Sequence, residues 1–262
     1  MATHLRVGDL PDYFLSRGRF SASTEEIGEL TGIARRALGP ALKRLRDRQL
    51  AFSPVRGLYC FVPPEYRSWG VTPGAWMIDD AMRHLGRDYY VGLLSAAELH
   101  GAAHQAPQVF QVLVGVQTAD RDIGRVRLRF VLDAHLDSAA VEARNVPTGT
   151  ARVATREQTA VDVVAHHRHA GGWNNVATVL GELESLDGGE LARLAAGRSL
   201  AQARRLGWLL DRFAAGIDTD PLASLARRPT ALPTPLEPAA DRAGDLDERW
   251  ALIVNVDVQS DL

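Results

Sequence analysis

The sequence predicts an α+β protein in two parts: a small basic module at the N-terminus and a larger mixed α/β body behind it. Three observations predict it. Ile27, Leu30, Ile33, Leu38, Leu42 and Leu45 recur at helical spacing within one short stretch. Further on, runs of strand length appear at 109–116, 125–132 and 151–155, followed by a stretch of helical patterning. Charge is split between the parts. Residues 1–68 carry 11 Lys/Arg against 7 Asp/Glu, and the remainder 19 against 25. A basic segment on an acidic body suits a nucleic-acid module joined to a part with a different task.

The first part, residues 1–68, contains a short helix around Leu10, Tyr13, Phe14 and Leu15, with Pro11 in its first turn and Gly18 near its end. Ser23 with Glu26 three residues later is a capping-box pattern that starts a second helix. Thr31-Gly32 breaks that helix. A third helix follows. Its inward positions are Ile33, Leu38, Leu42 and Leu45; its outward face carries Arg35, Arg36, Gly39 and Lys43, with Arg44, Arg46 and Arg48 around the rim. Residues 50–53 and 58–62 then read as two strands joined by Pro54-Val55-Arg56-Gly57. Helix, turn, basic helix and hairpin in this order predict a winged helix-turn-helix for double-stranded DNA. The first residues of the second helix of such a pair reach base edges, so Arg35 and Arg36 are the base-reading candidates. Lys43 and Arg44 are placed for phosphates, and Arg56 at the tip of the wing. Pro40 sits inside the recognition helix, where it removes a backbone hydrogen bond at a cost of about 3 kcal/mol. It predicts either a kink or a restart of the helix at Gly39-Pro40.

Residues 63–74 are rich in Pro and Gly and read as a linker. The second domain is expected over 75–262. Its reading is an amphipathic helix from Trp76 to Leu85, a largely apolar helix from Tyr89 to Leu99, the three strands above, and a helix capped by Thr155. Helices over 173–186, 191–196 and 200–213 follow. Residues 226–248 carry no periodicity, and residues 250–258 read as a final strand pairing with the sheet.

The composition excludes several classes. An apolar fraction of 46% supports real cores. No run approaches the length of a membrane-spanning helix, and the N-terminus has no apolar signal-peptide stretch, so a cytoplasmic location without a membrane partner is expected. Cys60 is the only cysteine, which rules out an internal disulfide and a cysteine-based zinc site. There is no phosphate-binding Gly-rich loop, no dinucleotide fingerprint and no nucleophile elbow. Lys43 is the only lysine, so a carboxylate–lysine nuclease centre outside the N-terminal module is excluded. His166, His167 and His169 follow Asp162 at a helix end, but no further ligand set at standard spacing accompanies them. Asp133, His135, His100 and His104 read as strand-end, helix-end and loop residues. Trp76, Trp173, Trp208 and Trp250 each fall in an apolar stripe and read as core. No catalytic residue, cofactor or metal is expected.

Several stretches resemble the AbiEi-type antitoxins of bacterial type IV toxin–antitoxin systems. They are Gly57-Leu-Tyr-Cys-Phe-Val-Pro63, Tyr89-Tyr-Val-Gly-Leu-Leu-Ser-Ala-Ala-Glu-Leu-His-Gly101, residues 105–114, Val153-Ala-Thr-Arg-Glu-Gln-Thr-Ala-Val-Asp162, Arg205-Leu-Gly-Trp-Leu-Leu210 and Arg249-Trp-Ala-Leu-Ile-Val-Asn255. The resemblance implies an N-terminal winged helix that binds promoter inverted repeats and represses its own operon. It implies a C-terminal domain that counteracts a nucleotidyltransferase-like toxin without a stable complex. Arg35, Arg36, Lys43, Arg44 and Arg56 lie where the family has basic DNA contacts; Pro40 departs from it. Two other readings stay open on sequence alone. One is a solitary winged-helix regulator that senses a ligand or partner. The other is an enzyme targeted by its helix-turn-helix, with an activity near Asp162 and His166.

Overall fold

The computed structural model describes residues 4–102, 109–228 and 230–261. In chain order these form α1 (Leu10–Leu15), β1 (Ser21–Ser23), α2 (Thr24–Thr31), α3 (Arg35–Asp47), β2 (Ala51–Phe52), β3 (Leu58–Phe61), α4 (Gly74–Leu85), β4 (Tyr89–Val91) and α5 (Leu93–Leu99). Next come β5 (Val109–Val114), β6 (Arg121–Ile123), β7 (Val126–Leu132), β8 (Val141–Val146) and β9 (Gly149–Ala154). The chain ends with α6 (Arg156–Ala165), α7 (Trp173–Glu182), α8 (Gly188–Ala196), α9 (Leu200–Phe213), α10 (Asp220–Ala226), β10 (Thr234–Pro235), β11 (Asp245–Asp247) and β12 (Leu252–Val254). The sheets have the orders β1-β3-β2, β6-β7-β5-β4-β9-β8 and β10-β12-β11. The α+β expectation holds.

Two compact units emerge. The first comprises Met1–Tyr90, Gln108–Asp133 and Ala143–Arg152; the second comprises Val91–Pro107, Ala134–Glu142 and Val153–Leu262.

The first unit is built on a core of Leu10, Phe14, Ile27, Leu38, Leu42, Leu45 and Phe61, with the rings of Phe14 and Phe61 stacked at 4.8 Å. Ser23 caps α2 by accepting from the Glu26 amide at 3.1 Å. The reciprocal half of the expected capping box is replaced, because the Glu26 carboxylate is taken by Arg19 at 2.6 and 2.8 Å. Gly32 ends α2 at φ 66°, a conformation that a side chain would strain. The residues read as a linker are packed. Tyr66 meets Trp76 at 5.0 Å, and Trp76 meets Phe20 at 6.1 Å. Asp80 of α4 accepts from Ser21 at 2.7 Å. In the same unit β5 runs parallel to β7 and β6 antiparallel to it.

The second unit is largely helical. Thr155 caps α6 as expected, accepting from the Gln158 amide at 3.2 Å. Ser199 and Gln202 form a complete capping box on α9. Gly207 of α9 lies flat against Trp250, leaving no room for a Cβ. The Trp250 indole N–H donates to Asp211 at 2.8 Å. Arg204, 1% exposed, donates to the Leu232 carbonyl at 2.8 Å and to Thr234 at 3.1 Å, which ties α9 to β10.

Four expectations are corrected. Residues 89–99 are not one helix: Tyr89–Val91 is strand β4, paired with β9 at Val91 and Val153, and Gly92 in extended backbone separates it from α5. Residues 250–258 do not form a long strand in the main sheet. Only Leu252–Val254 is strand, held between β10 and β11, after Ala251 interrupts the run at φ 45°. The helix expected over 173–186 ends at Glu182, although Leu183 and Leu186 remain buried. The 226–248 stretch, read as structureless, contributes β10 and β11. Trp173, Trp208 and Trp250 are buried, whereas Trp76 is only partly so. His104 and residues 105–108 of the matching stretch lie outside the described residues.

Candidate nucleic-acid interface

Helix α3 follows α2 after a three-residue turn, Gly32 to Ala34, and is amphipathic along its length. Leu38, Ala41, Leu42 and Leu45 are buried, while Arg35, Arg36, Lys43, Arg44, Arg46 and Arg48 are all exposed. Arg35, Arg36, Arg44 and Arg46 form no ion pair among the described residues. Lys43 pairs with Asp47 at 2.7 Å, with both side chains more than half exposed. A pair so solvated is worth well under about 1 kcal/mol and leaves the ammonium free to exchange partners.

The start of α3 adds to this charge. Its N-cap is Ala34, which offers no side-chain acceptor, and its first turn holds no acid. The positive end of the helix dipole therefore coincides with Arg35 and Arg36. Helix α2 presents Glu25 and Glu29 across a groove of about 440 Å³ that Arg35 also lines. Acidic side chains of α2 and the first arginine of α3 thus line one groove.

Pro40 does not restart the helix. Arg35–Asp47 is one continuous helix with Pro40 inside it, exposed. The missing N–H leaves the Arg36 carbonyl without its usual partner four residues on.

The hairpin behind α3 is short, and its turn is anchored. Val55 and Leu58 pack with Ala81 and Leu85 of α4. His84 Nε2 lies 3.2 Å from the Arg56 carbonyl oxygen, which can only accept. The Arg56 side chain remains exposed. Sequence reasoning missed this docking, since its signal lies some thirty residues away in α4. Cys60 is buried inside β3, and burial pushes its thiol pKa far up, so it is an inert apolar residue there.

Asp162, His100 and Asp133 are each engaged in structural contacts. Asp162 is fully buried and committed to Arg198 at 3.1 Å and to the Gln158 amide nitrogen at 2.7 Å. His100 Nε2 meets the Ala154 carbonyl at 2.7 Å, a helix-end contact. Asp133 is buried near the Tyr90 hydroxyl at 3.4 Å, while His135 is exposed. Among the described residues, no three His, Cys, Asp or Glu side chains are grouped to hold a metal. Nor is any helix among them long and apolar enough to cross a membrane.

Residues 90–212 match the family model of the AbiEi antitoxin C-terminal domain. Among solved structures the chain is similar to the crystal structure of the RV2827C protein from Mycobacterium tuberculosis. The identity is 16% and the TM-score 0.66, over 98% of this chain and 91% of that chain. At that identity the likeness speaks for the fold alone. No curated protein matches.

Proposed function

We propose, on the match of residues 90–212 to the AbiEi antitoxin C-terminal domain, that this chain is a DNA-binding antitoxin that represses its own operon and counteracts a nucleotidyltransferase-like toxin of type IV kind, without catalysis of its own and without a stable complex. It acts in the cytoplasm, on double-stranded promoter DNA carrying inverted repeats. The observation that carries the DNA part is α3: Arg35 and Arg36 stand unpaired on its exposed first turn, behind a capped α2 and ahead of a hairpin. Arg35 and Arg36 read base edges, for which the planar guanidinium is suited. Lys43, Arg44 and Arg56 hold phosphates.

The test is binding to the operon's own promoter duplex as salt is varied. Neutralising about five phosphates gives a log–log slope of roughly −4 to −5. Arg35→Ala and Arg36→Ala each cost about 1–3 kcal/mol and relax sequence preference, whereas Lys43→Ala weakens all duplexes alike. A flat salt dependence, or arginine variants that bind as the parent does, overturns the reading. The antitoxin part is tested by co-expression with the nucleotidyltransferase-like protein encoded beside it. Growth restored by the chain supports the reading; a gene with no such neighbour and no rescue favours a solitary regulator.

A further inference from the structure

A second charged site lies in the helical unit, and the DNA reading does not use it. After α6, residues 166–172 run through a series of turns before α7 begins. Together with the end of α6, Arg205 of α9 and Pro238, the turn residues line an open pocket of about 380 Å³. Its wall carries three imidazoles, those of His166, His167 and His169, and two guanidiniums, those of Arg168 and Arg205.

The charges on this wall do not balance. Arg205 is only partly exposed, and both of its hydrogen bonds go to one carbonyl, that of Pro235, at 3.2 and 2.9 Å. It forms no ion pair among the described residues. Burial draws its pKa below the ordinary value, against the opposing pull of Glu237. The nearby acid, Glu237, is already shared. It accepts from the Trp173 indole at 3.0 Å and the Ala239 amide at 2.9 Å, and it lies 3.3 Å from His167 and 3.7 Å from Arg168. The His167 ring is clamped flat on Trp173, with centroids 4.0 Å apart and planes within 9°. The donors are therefore held in place around a partly buried cation whose hydrogen bonds go to a neutral carbonyl and which shares the Glu237 charge with its neighbours.

We propose that this pocket binds the phosphoryl group of a small molecule. A buried cation is stabilised by an anion that also satisfies its N–H groups. A phosphoryl group offers three terminal oxygens, enough for a guanidinium fork and imidazole N–H groups arriving from different directions. The volume lies at the lower end of small-molecule pockets, about 300–1,000 Å³. It exceeds what a bare oxyanion fills and accommodates a compact phosphorylated ligand.

The experiment uses the full chain with two probes, inorganic phosphate and AMP, against sodium chloride at equal ionic strength. Both probes raise the melting temperature. AMP binding tighter than phosphate identifies a phosphorylated small molecule as the natural class; equal affinity identifies phosphate itself. Arg205→Gln weakens either probe on the order of tenfold or more, and Arg205→Lys keeps part of the affinity. Should Arg205→Gln fail to fold, the parent decides. Its His166 and His169 ring proton resonances, assigned through His→Gln variants, shift with phosphate and not with chloride. No response to either probe at millimolar concentration, unmoved histidine resonances, or a response that Arg205→Gln leaves intact overturns the site.

Discussion

Asp162 shows how a residue with catalytic looks becomes structural. On sequence it stands one helical turn before His166 and could serve a metal or a reaction. In the fold it is fully buried, and Arg198, its partner at 3.1 Å, has a side chain only 6% exposed. Two charges removed from water gain little over well-packed apolar residues, yet either one left alone is costly. Asp162→Ala is therefore expected to destabilise the chain by about 3–5 kcal/mol in urea denaturation, since it removes a charged acceptor of a buried guanidinium. Replacing the pair together, as Asp162→Leu with Arg198→Met, recovers much of that loss. If the single variant unfolds within about 1 kcal/mol of the parent, the pair is more hydrated than its burial implies. Glu237 and His167 set an acid limit at the same scale. Hydrogen bonds from Ala239 and Trp173 outweigh desolvation and hold the Glu237 carboxyl below its usual range, while burial disfavours protonation of His167. Both groups bind protons more readily when unfolded, so both stabilising contributions are present above the ordinary imidazole range. The His167 part is lost first as pH falls, and the Glu237 part follows at lower pH. The melting temperature should decline on acidification, and His167→Phe should flatten the first part of that decline.

Among elements, α3 is both the most legible and the least relaxed. Its start, end and buried face follow from local signals: αL Gly32, then Leu38, Leu42 and Leu45 at helical spacing. Such signals act within a few residues, which is why the sequence reveals them. Strand β4 is the opposite case. Tyr89-Tyr-Val is an apolar run whose state is decided by pairing with Val153, more than sixty residues away, and periodicity alone cannot distinguish it from a helix. The pocket around Arg205 was hidden for the same reason, because α9 and the 166–169 turns meet only in the fold. Within α3, Pro40 is exposed and contributes little packing, but it deprives the Arg36 carbonyl of a partner. Pro40→Ala should therefore raise stability by about 1–3 kcal/mol, as read from the urea midpoint at constant slope. Promoter affinity reports separately. A fall in affinity despite the gain in stability would mean that the proline sets the direction in which Arg35 and Arg36 point; unchanged affinity would mean it is merely tolerated.

For the whole molecule the question is where the N-terminal body ends. Composition places the boundary after residue 68, at the Pro- and Gly-rich stretch. The contacts place α4 with the N-terminal elements. Ala81 and Leu85 cover Val55 and Leu58, His84 meets the hairpin turn at Arg56, and Asp80 reaches Ser21. Trp76 lies against both Phe20 and Tyr66. Without α4, these apolar surfaces face water, and each fully exposed large side chain forfeits about 1.5–3 kcal/mol. A small domain holds only about 5–15 kcal/mol in reserve, so the loss is decisive. Further ties reach α4 from later segments of the same unit: the Thr148 hydroxyl donates to the Trp76 carbonyl at 2.7 Å, and the Phe110 ring leaves no room for a Cβ on Gly74. We therefore expect a fragment of residues 1–68 to melt well below one of residues 1–88, and to bind promoter DNA weakly at temperatures where the longer one still binds. If the two melt alike and bind alike, α4 is a neighbour of the DNA-binding body and not a part of it, and the boundary at residue 68 stands.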